Sequence, residues 1–399
     1  MLKAESTVIA PPATVSNPGG RKLSKEAPIP PSVTAAAIVL SILTPSALCA
    51  ICRKAPAPAP VPAEPIKVEV TRIVEGAPVV QQVVVTATAA KVEPKKVKIF
   101  GAFATPIEEP WDGVIHQALL KAKEDGKIDY EYTENIGYSG DMERILQETA
   151  DQKKPDIIIG DGFGNEEAVR RVAAQYPAIA FAFGSGLGPS DPNLSVFDNW
   201  IHEPAYLCGM LAGGLTKTNK IGIVGAMPVP EVNRLVNAFV KGAKEVNPKA
   251  QIYVSFINSW FDPAAAKEAA IAQIGKGADV LYAERFGVIE AAKEKGLWAF
   301  GNMSDQNSLA PEFVVTSPVW NMGPTVDYLI KQVESGSYTA QDLKDFSMWA
   351  KGGATLAPFN GTDSKLPAEL LKLVQGREKQ IKDGLYRVDI DERQPEAVN

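Results

Sequence analysis

The first 99 residues of this 399-residue chain contain no aromatic ring; all 30 Phe, Trp and Tyr residues lie at or after Phe100. Aromatic side chains dominate the apolar area that a core buries, so a long stretch without them is a poor candidate for a packed domain. The same stretch holds 14 of the 31 prolines. The folded body therefore begins near Val97 and runs for about 300 residues, enough for one bilobal unit. Charge divides at the same place. Residues 1–96 carry 11 Lys and Arg against 6 Asp and Glu, which leaves 30 and 41 for the body, a net charge of −11. An acidic body repels polyanions, which argues against nucleic acid as a partner. Three cysteines and two histidines, His116 and His202, supply neither a disulfide framework nor a thiolate or histidine metal centre. No cofactor and no metal are expected.

The leader reads as three segments. Residues 1–31 are polar. Residues 32–52 (SVTAAAIVLSILTPSALCAIC) carry no charge over 21 positions, with Lys3, Arg21, Lys22 and Lys25 before them and Arg53-Lys54 after. That length spans a bilayer as a helix, and it also serves as a secretory signal. Cys49 or Cys52 could carry a lipid, although neither is preceded by the residues that lipid-modification boxes favour. Both outcomes, a lipidated cysteine or an uncleaved anchor, place the body outside the cell membrane. Within residues 53–96, APAPAPVPAEP (55–65) is a polyproline-type spacer, and the rest continues Val/Thr-rich. They read as a tether.

From Val97 short apolar runs alternate with amphipathic helices. KVKIFGAF, IDYEYTEN, DIIIGDG and AIAFAFG read as strands, with helices near 111–124, 141–151 and 165–175. Asn165 is placed to cap the last of these. After the apolar stretch EPAYLCGMLAGGLTK the alternation resumes with KIGIVGAM, QIYVSFI, DVLYAE and LWAFG. The helices of this second half fall at 231–246, 263–276 and 287–295. VVTSPV then precedes a helix from about Trp320 to Glu334. This pattern builds βαβ units with parallel sheets, in two similar halves. Ligands in such folds bind beyond the carboxyl ends of the strands.

Those strand-end loops carry rings and charges: Trp111 in the first, Phe163 in the third, then Trp260, Phe261, Glu284, Arg285, Asp305 and Trp320 in the second half. Flat rings that stack a flat ligand, with carboxylates at its polar edge, form the expected site. The acids Glu108, Glu109 and Asp112 could imitate a hydrolase pair, but three acids in one loop read more simply as solvated charges at a helix start. GDGFG lacks dinucleotide-fingerprint spacing, and no P-loop, nucleophile elbow or HExxH is present. His116 reads as structural. No enzyme is expected.

The body resembles the BMP (PnrA-like) family of bacterial ABC-transporter substrate-binding lipoproteins over roughly residues 97–360. Its most specific stretches are EPAYLCGMLAGGLTKTNKIGIVGAMPVPEVNRLVNAFVKGAKEVNP (203–248), NSWFDPAAAKEAA (258–270) and FGNMSDQ (300–306). The resemblance implies a type I periplasmic-binding fold, with two Rossmann-like lobes around a central cleft. Lobe 1 would take 97–199 and 308–340, and lobe 2 200–307 and 341–390. It implies a purine nucleobase or nucleoside as ligand, an ABC permease as partner, and a monomeric body held at the outer face of the membrane. It puts Trp111 and Phe163 in the first lobe's wall, with Trp260, Glu284 or Arg285, and Asp305 in the second lobe or hinge. Nucleoside binders of the family carry D-x-S-F-N after the first strand, where this chain reads Ile107-Glu108-Glu109-Pro110-Trp111. The missing ribose-binding groups favour a bare, adenine-like base. A ligand sensor of the same fold, or a nucleoside hydrolase using Glu108, Glu109 or Asp112, are the alternative functions.

Overall fold

A computed structural model of the chain describes residues 66–74, 77–85 and 96–395. The polar segment 1–31, the uncharged segment 32–52 with Cys49 and Cys52, and the proline-rich spacer lie outside the described residues. Two compact units divide near residue 90. In the first, β1 (Ile66–Val74) and β2 (Ala77–Val85) pair antiparallel, with Ile66 opposite Val85 and Val74 opposite Ala77. The sequence reading treats this stretch as part of a tether; the structure gives it a hairpin. Its Val, Ile and Thr favour extended backbone even where no ring is present to pack.

The second unit contains two parallel sheets. In the first lobe the strand order is β4-β3-β5-β6-β7. These strands are β3 (Val97–Ala102), β4 (Ile128–Thr133), β5 (Ile157–Asp161), β6 (Ala180–Gly184) and β7 (Leu194–Phe197). β5, β6 and β7 are buried along their full length, which explains their continuous apolar runs. Helices α1 (Pro110–Glu124), α2 (Asp141–Gln152) and α3 (Glu166–Gln175) cover the two faces. Asn165 holds the position before α3, but its side chain makes no capping bond; its Nδ2 instead donates to the Gly137 carbonyl at 3.0 Å.

After β7 the chain crosses into α4 (His202–Leu215), in which 13 of 14 residues are buried. The second sheet has the order β11-β10-β8-β9, built from β8 (Lys220–Gly225), β9 (Gln251–Phe256), β10 (Val280–Ala283) and β11 (Trp298–Phe300). Its helices are α5 (Pro230–Val246), α6 (Pro263–Gly275) and α7 (Val288–Lys295). Two glycines of α4 let α5 approach at backbone distance: a Cβ on Gly209 would lie 2.0 Å from the Phe239 carbonyl oxygen, and one on Gly213 2.3 Å from that of Ala243. This close contact accounts for the long run of small and apolar residues, which faces protein all round.

β12 (Pro318–Trp320) pairs antiparallel with β13 (Ala354–Leu356) between the lobes. α8 (Gly323–Glu334) returns to the first lobe, where Val326, Leu329 and Ile330 join the core beneath β3. α9 (Ala368–Lys382) packs on α4 through Leu370 and Val374. Among the described residues no helix is long and apolar enough to cross a membrane.

Candidate functional site

The loop from β3 to α1 closes on itself through two carboxyl groups. Glu109 caps α1: its Oε2 accepts from the backbone N–H of Trp111 at 2.8 Å and of Asp112 at 3.0 Å. Pro110 follows at the first helical position, where its fixed φ and missing N–H cost nothing. Asp112 Oδ2 reaches back to accept from the Thr105 backbone N–H at 3.0 Å and the Thr105 hydroxyl at 2.6 Å. The sequence reading takes these acids as solvated. Glu108 is exposed, but Glu109 and Asp112 are buried at 2% and 1% exposure. The backbone donors of the helix start hold Glu109, and Thr105 in the preceding loop holds Asp112 Oδ2 while Asp112 Oδ1 is buried without a partner.

Trp111 is carried inward by the same turn. Its ring stacks on Phe197 at 5.8 Å between centroids and tilts against Trp320 at 5.0 Å. Gly184, at the end of β6, makes room for it: a Cβ there would fall 1.8 Å from the indole. Trp320 is itself buried, and its Nε1 donates to Ser347 Oγ at 3.1 Å.

A slot lies between the strand ends of the two lobes. Its cavity volume is about 10 Å3, room for about one water molecule, so its walls all but meet as the lobes stand. Trp111, Tyr138 and Phe163 line it from the first lobe and Trp260 from the second. Phe163 meets Trp260 edge-on at 4.8 Å and Tyr138 at 6.4 Å. Phe163 is oriented by a turn in which its N–H donates to Asp161 Oδ1 at 2.8 Å. Thr105, Glu109, Asp161, Ser185 and Glu231 supply the polar rim.

Two polar contacts join the lobes around the slot. Arg285 Nη1 donates to Glu109 Oε1 at 2.6 Å, with both side chains almost wholly buried. Ser185 Oγ donates to Glu231 Oε2 at 3.1 Å. Arg285 is fixed from behind by Glu284, through Nε at 2.9 Å and Nη2 at 2.8 Å, and it also donates to the Trp260 carbonyl at 3.1 Å. Glu284 in turn accepts from the Ala226 N–H at 2.9 Å.

Burial sets the protonation of the acids. It pushes Asp112 up to about 8, with the Glu109 charge adding to the effect. Glu231 also rises to about 8, by burial and then by Asp198. Asp161 is raised well above the usual carboxylate range by burial, then by Asp112. Glu109 is raised by burial, against the pull of Arg285. Glu231, on the rim, therefore keeps a proton at neutral pH and can donate as well as accept a hydrogen bond.

The structure brings Trp111, Phe163 and Trp260 to the slot, with Arg285 and Glu284 directly behind its wall. Phe261 is 38% exposed and packs edge-on against Phe286, away from the slot. Asp305 and Trp320 line a separate, more open groove of about 480 Å3, together with Ile107, Val114, Met303 and Lys121. His116 is buried in the first lobe, its Nδ1 2.9 Å from the Tyr130 hydroxyl. Sequence reasoning missed Thr105, Tyr138, Asp161, Ser185 and Glu231. Glu231 carried a legible signal, an acid in the first turn of a helix directly after a strand; Tyr138 and Ser185 carried none. Among the described residues no cluster of His, Cys, Asp and Glu is set to hold a metal.

Comparison with known proteins agrees with this architecture. The chain is 30% identical over 262 residues to a purine-binding protein of Brucella abortus, covering 65% of this chain and 72% of that one. It is 37% identical over 208 residues to a protein of Haloferax volcanii whose name carries a provisional glucose-binding assignment within an ABC transporter. That match covers 51% of this chain, which spans about half (52%) of the length of the Haloferax relative. A solved ABC-transporter solute-binding protein of Conexibacter woesei superposes with a TM-score of 0.61 at 21% identity, covering 74% of this chain and 99% of that one, which supports the fold. The family model of the Bmp proteins, described as PnrA-like ABC-transporter substrate-binding proteins, matches residues 104–344, and the chain belongs to that family.

Proposed function

We propose that the slot takes a purine ring as the free base, and that the chain delivers it to an ABC permease from the outer face of the cell membrane, held there by residues 1–96. The aromatic walls carry this reading: Trp111, Tyr138, Phe163 and Trp260 converge on one slot at the strand ends, where flat rings stack a flat ligand once the lobes part. The rim supports it further. A purine edge alternates hydrogen-bond donors and acceptors, and a carboxyl that keeps its proton, as Glu231 does, can meet both. The name of the Brucella relative points the same way. A sugar is the second reading, favoured by the name of the Haloferax relative and by the ability of aromatic faces and carboxylates to hold sugar rings.

A binding protein gains stability from its ligand by RT ln(1 + [L]/Kd), about 2.7 kcal/mol at a hundredfold excess over Kd. Thermal-shift screening and calorimetry with adenine, guanine, hypoxanthine, adenosine and glucose test the proposal. The bases should raise the melting temperature most, and adenosine less, because the loop after β3 reads Ile107-Glu108-Glu109-Pro110-Trp111 in place of the ribose-contacting D-x-S-F-N. A response to glucose alone would overturn the purine assignment.

A further inference from the structure

The rim acid Glu231 is held from two sides. Ser185 reaches it from the first lobe, and Asn199, in the crossover between β7 and α4, donates through Nδ2 to Glu231 Oε1 at 3.0 Å. An amide can turn over, and turned over it would set Oδ1 against the carboxyl oxygen. Arg234, one turn beyond Glu231 on α5, prevents that. Its guanidinium has only donors, and Nη2 lies 3.3 Å from Asn199 Oδ1, which commits Nδ2 to Glu231. Arg234 is 2% exposed and pairs through the same nitrogen with Asp198.

The other end of the guanidinium leads out of the lobe. Arg234 Nη1 donates to Glu392 Oε1 at 2.8 Å. Glu392 belongs to the segment 389–393, which lies along α5 as a strap. Asn233 Nδ2 donates to the Glu392 carbonyl at 3.0 Å, Asn237 Nδ2 to those of Asp391 at 2.9 Å and Arg393 at 2.8 Å, and Lys241 pairs with Asp389. Three side chains of one helix face thus hold a strap whose single inward acid meets a buried arginine.

We infer that Arg234 is a positioning residue for Glu231, and that the strap takes part in ligand binding through Glu392. The inference rests on Glu231 contacting the ligand. The charged groups that act on Glu231 are Asp198, Arg234, Arg285 and Glu284, with Asp161 coupled across the slot. In this setting two substitutions act with opposite sign. Glu392→Gln removes a negative charge and frees the Arg234 charge to act on Glu231, so Glu231 titrates lower. Arg234→Met removes the positive neighbour, so Glu231 titrates higher. Simple loosening would relieve burial and move both variants downward.

The experiment follows the Glu231 carboxyl by 13C NMR in the full chain, assigned with Glu231→Gln, alongside calorimetry with adenine. Glu392→Gln should lower the Glu231 midpoint by about 0.5 in pH and change adenine affinity about threefold, and Arg234→Met should raise the midpoint. An unmoved midpoint in Glu392→Gln, or shifts of the same sign in both variants, would overturn the inference. Should Arg234→Met fail to fold, Arg234→Gln takes its place, because it removes the same charge while keeping a hydrogen-bonding side chain, and shifts of opposite sign are still required. Glu392 is partly exposed at 43%, so its substitution leaves the core intact. If the unaltered chain ignores adenine, the purine reading fails, while the NMR comparison still decides whether Arg234 and the strap act on Glu231.

Discussion

Glu109 and Arg285 lie on opposite lobes and meet at 2.6 Å with 3% and 2% of their side chains exposed. Removing one partner of a buried ion pair strands the other, which typically costs about 3–5 kcal/mol, whereas replacing both by apolar groups is often neutral. Arg285 keeps Glu284 when Glu109 is lost, so Glu109→Leu should destabilise the chain less than Arg285→Met, which strands two acids. Urea unfolding of both single variants and the double variant measures the coupling. A double variant no more stable than Arg285→Met would contradict this account.

Trp111 belongs to the core and to the slot wall together. Trp111→Ala should cost about 3–5 kcal/mol of ligand-free stability through the cavity it leaves against Phe197 and Trp320. Trp111→Phe should cost less and keep more of the binding. Unfolding of the ligand-free variants, with calorimetry on each, separates the two roles.

Gly184→Ala should be worse than its one added methyl group suggests. The new Cβ meets the indole at 1.8 Å, and the backbone of a central strand cannot yield that far. A lowered melting temperature with weakened adenine binding is expected. Unchanged behaviour would show that the indole moves freely.

Stability should fall as pH rises from about 5 to 8. Asp112 and Glu231 titrate at about 8 in the fold against about 4 in an unfolded chain. A raised carboxyl stabilises below its unfolded value and loses that contribution as pH climbs through the folded one, at up to about 1.4 kcal/mol per pH unit for each group. His202 acts in the opposite direction: burial lowers it to about 4, so its contribution is lost as pH falls from about 6.5. The decline should therefore steepen above pH 6.5. Urea midpoints across this range, with Asp112→Asn expected to flatten the slope, provide the check.

Deleting residues 1–95 should leave a cooperatively folding protein, because the chain divides into two compact units near residue 90. Calorimetric unfolding of the shortened chain should show one transition at the temperature of the full chain's body. A lost transition would mean that the body depends on its leader.

The parallel architecture was legible because buried strands such as Ile157–Asp161 and Ala180–Gly184 are short, unbroken apolar runs between amphipathic helices. β7 was missed: Leu194–Phe197 is four residues long and follows Gly and Pro signals that read as loop. β13 and α9 were missed with it. β13 is three residues, and the apolar positions of α9 are sparse. At the candidate site, rings were legible as large apolar groups at strand ends, and of those expected there Trp111, Phe163 and Trp260 line the slot. Asp161 and Ser185 were not, because the partners that give them meaning come from distant segments. The burial of Glu109 and Asp112 was misread for the same reason: the arginine that balances Glu109 lies 176 positions away.

The glycine contact between α4 and α5 has a mechanical consequence. Helices that touch backbone to backbone, with no long side chains between them, have little compliance. The crossover from the first lobe enters at the front of α4, and Glu231 stands at the front of α5. Crossover and rim acid therefore ride on one stiff block of two helices, with little slack between them.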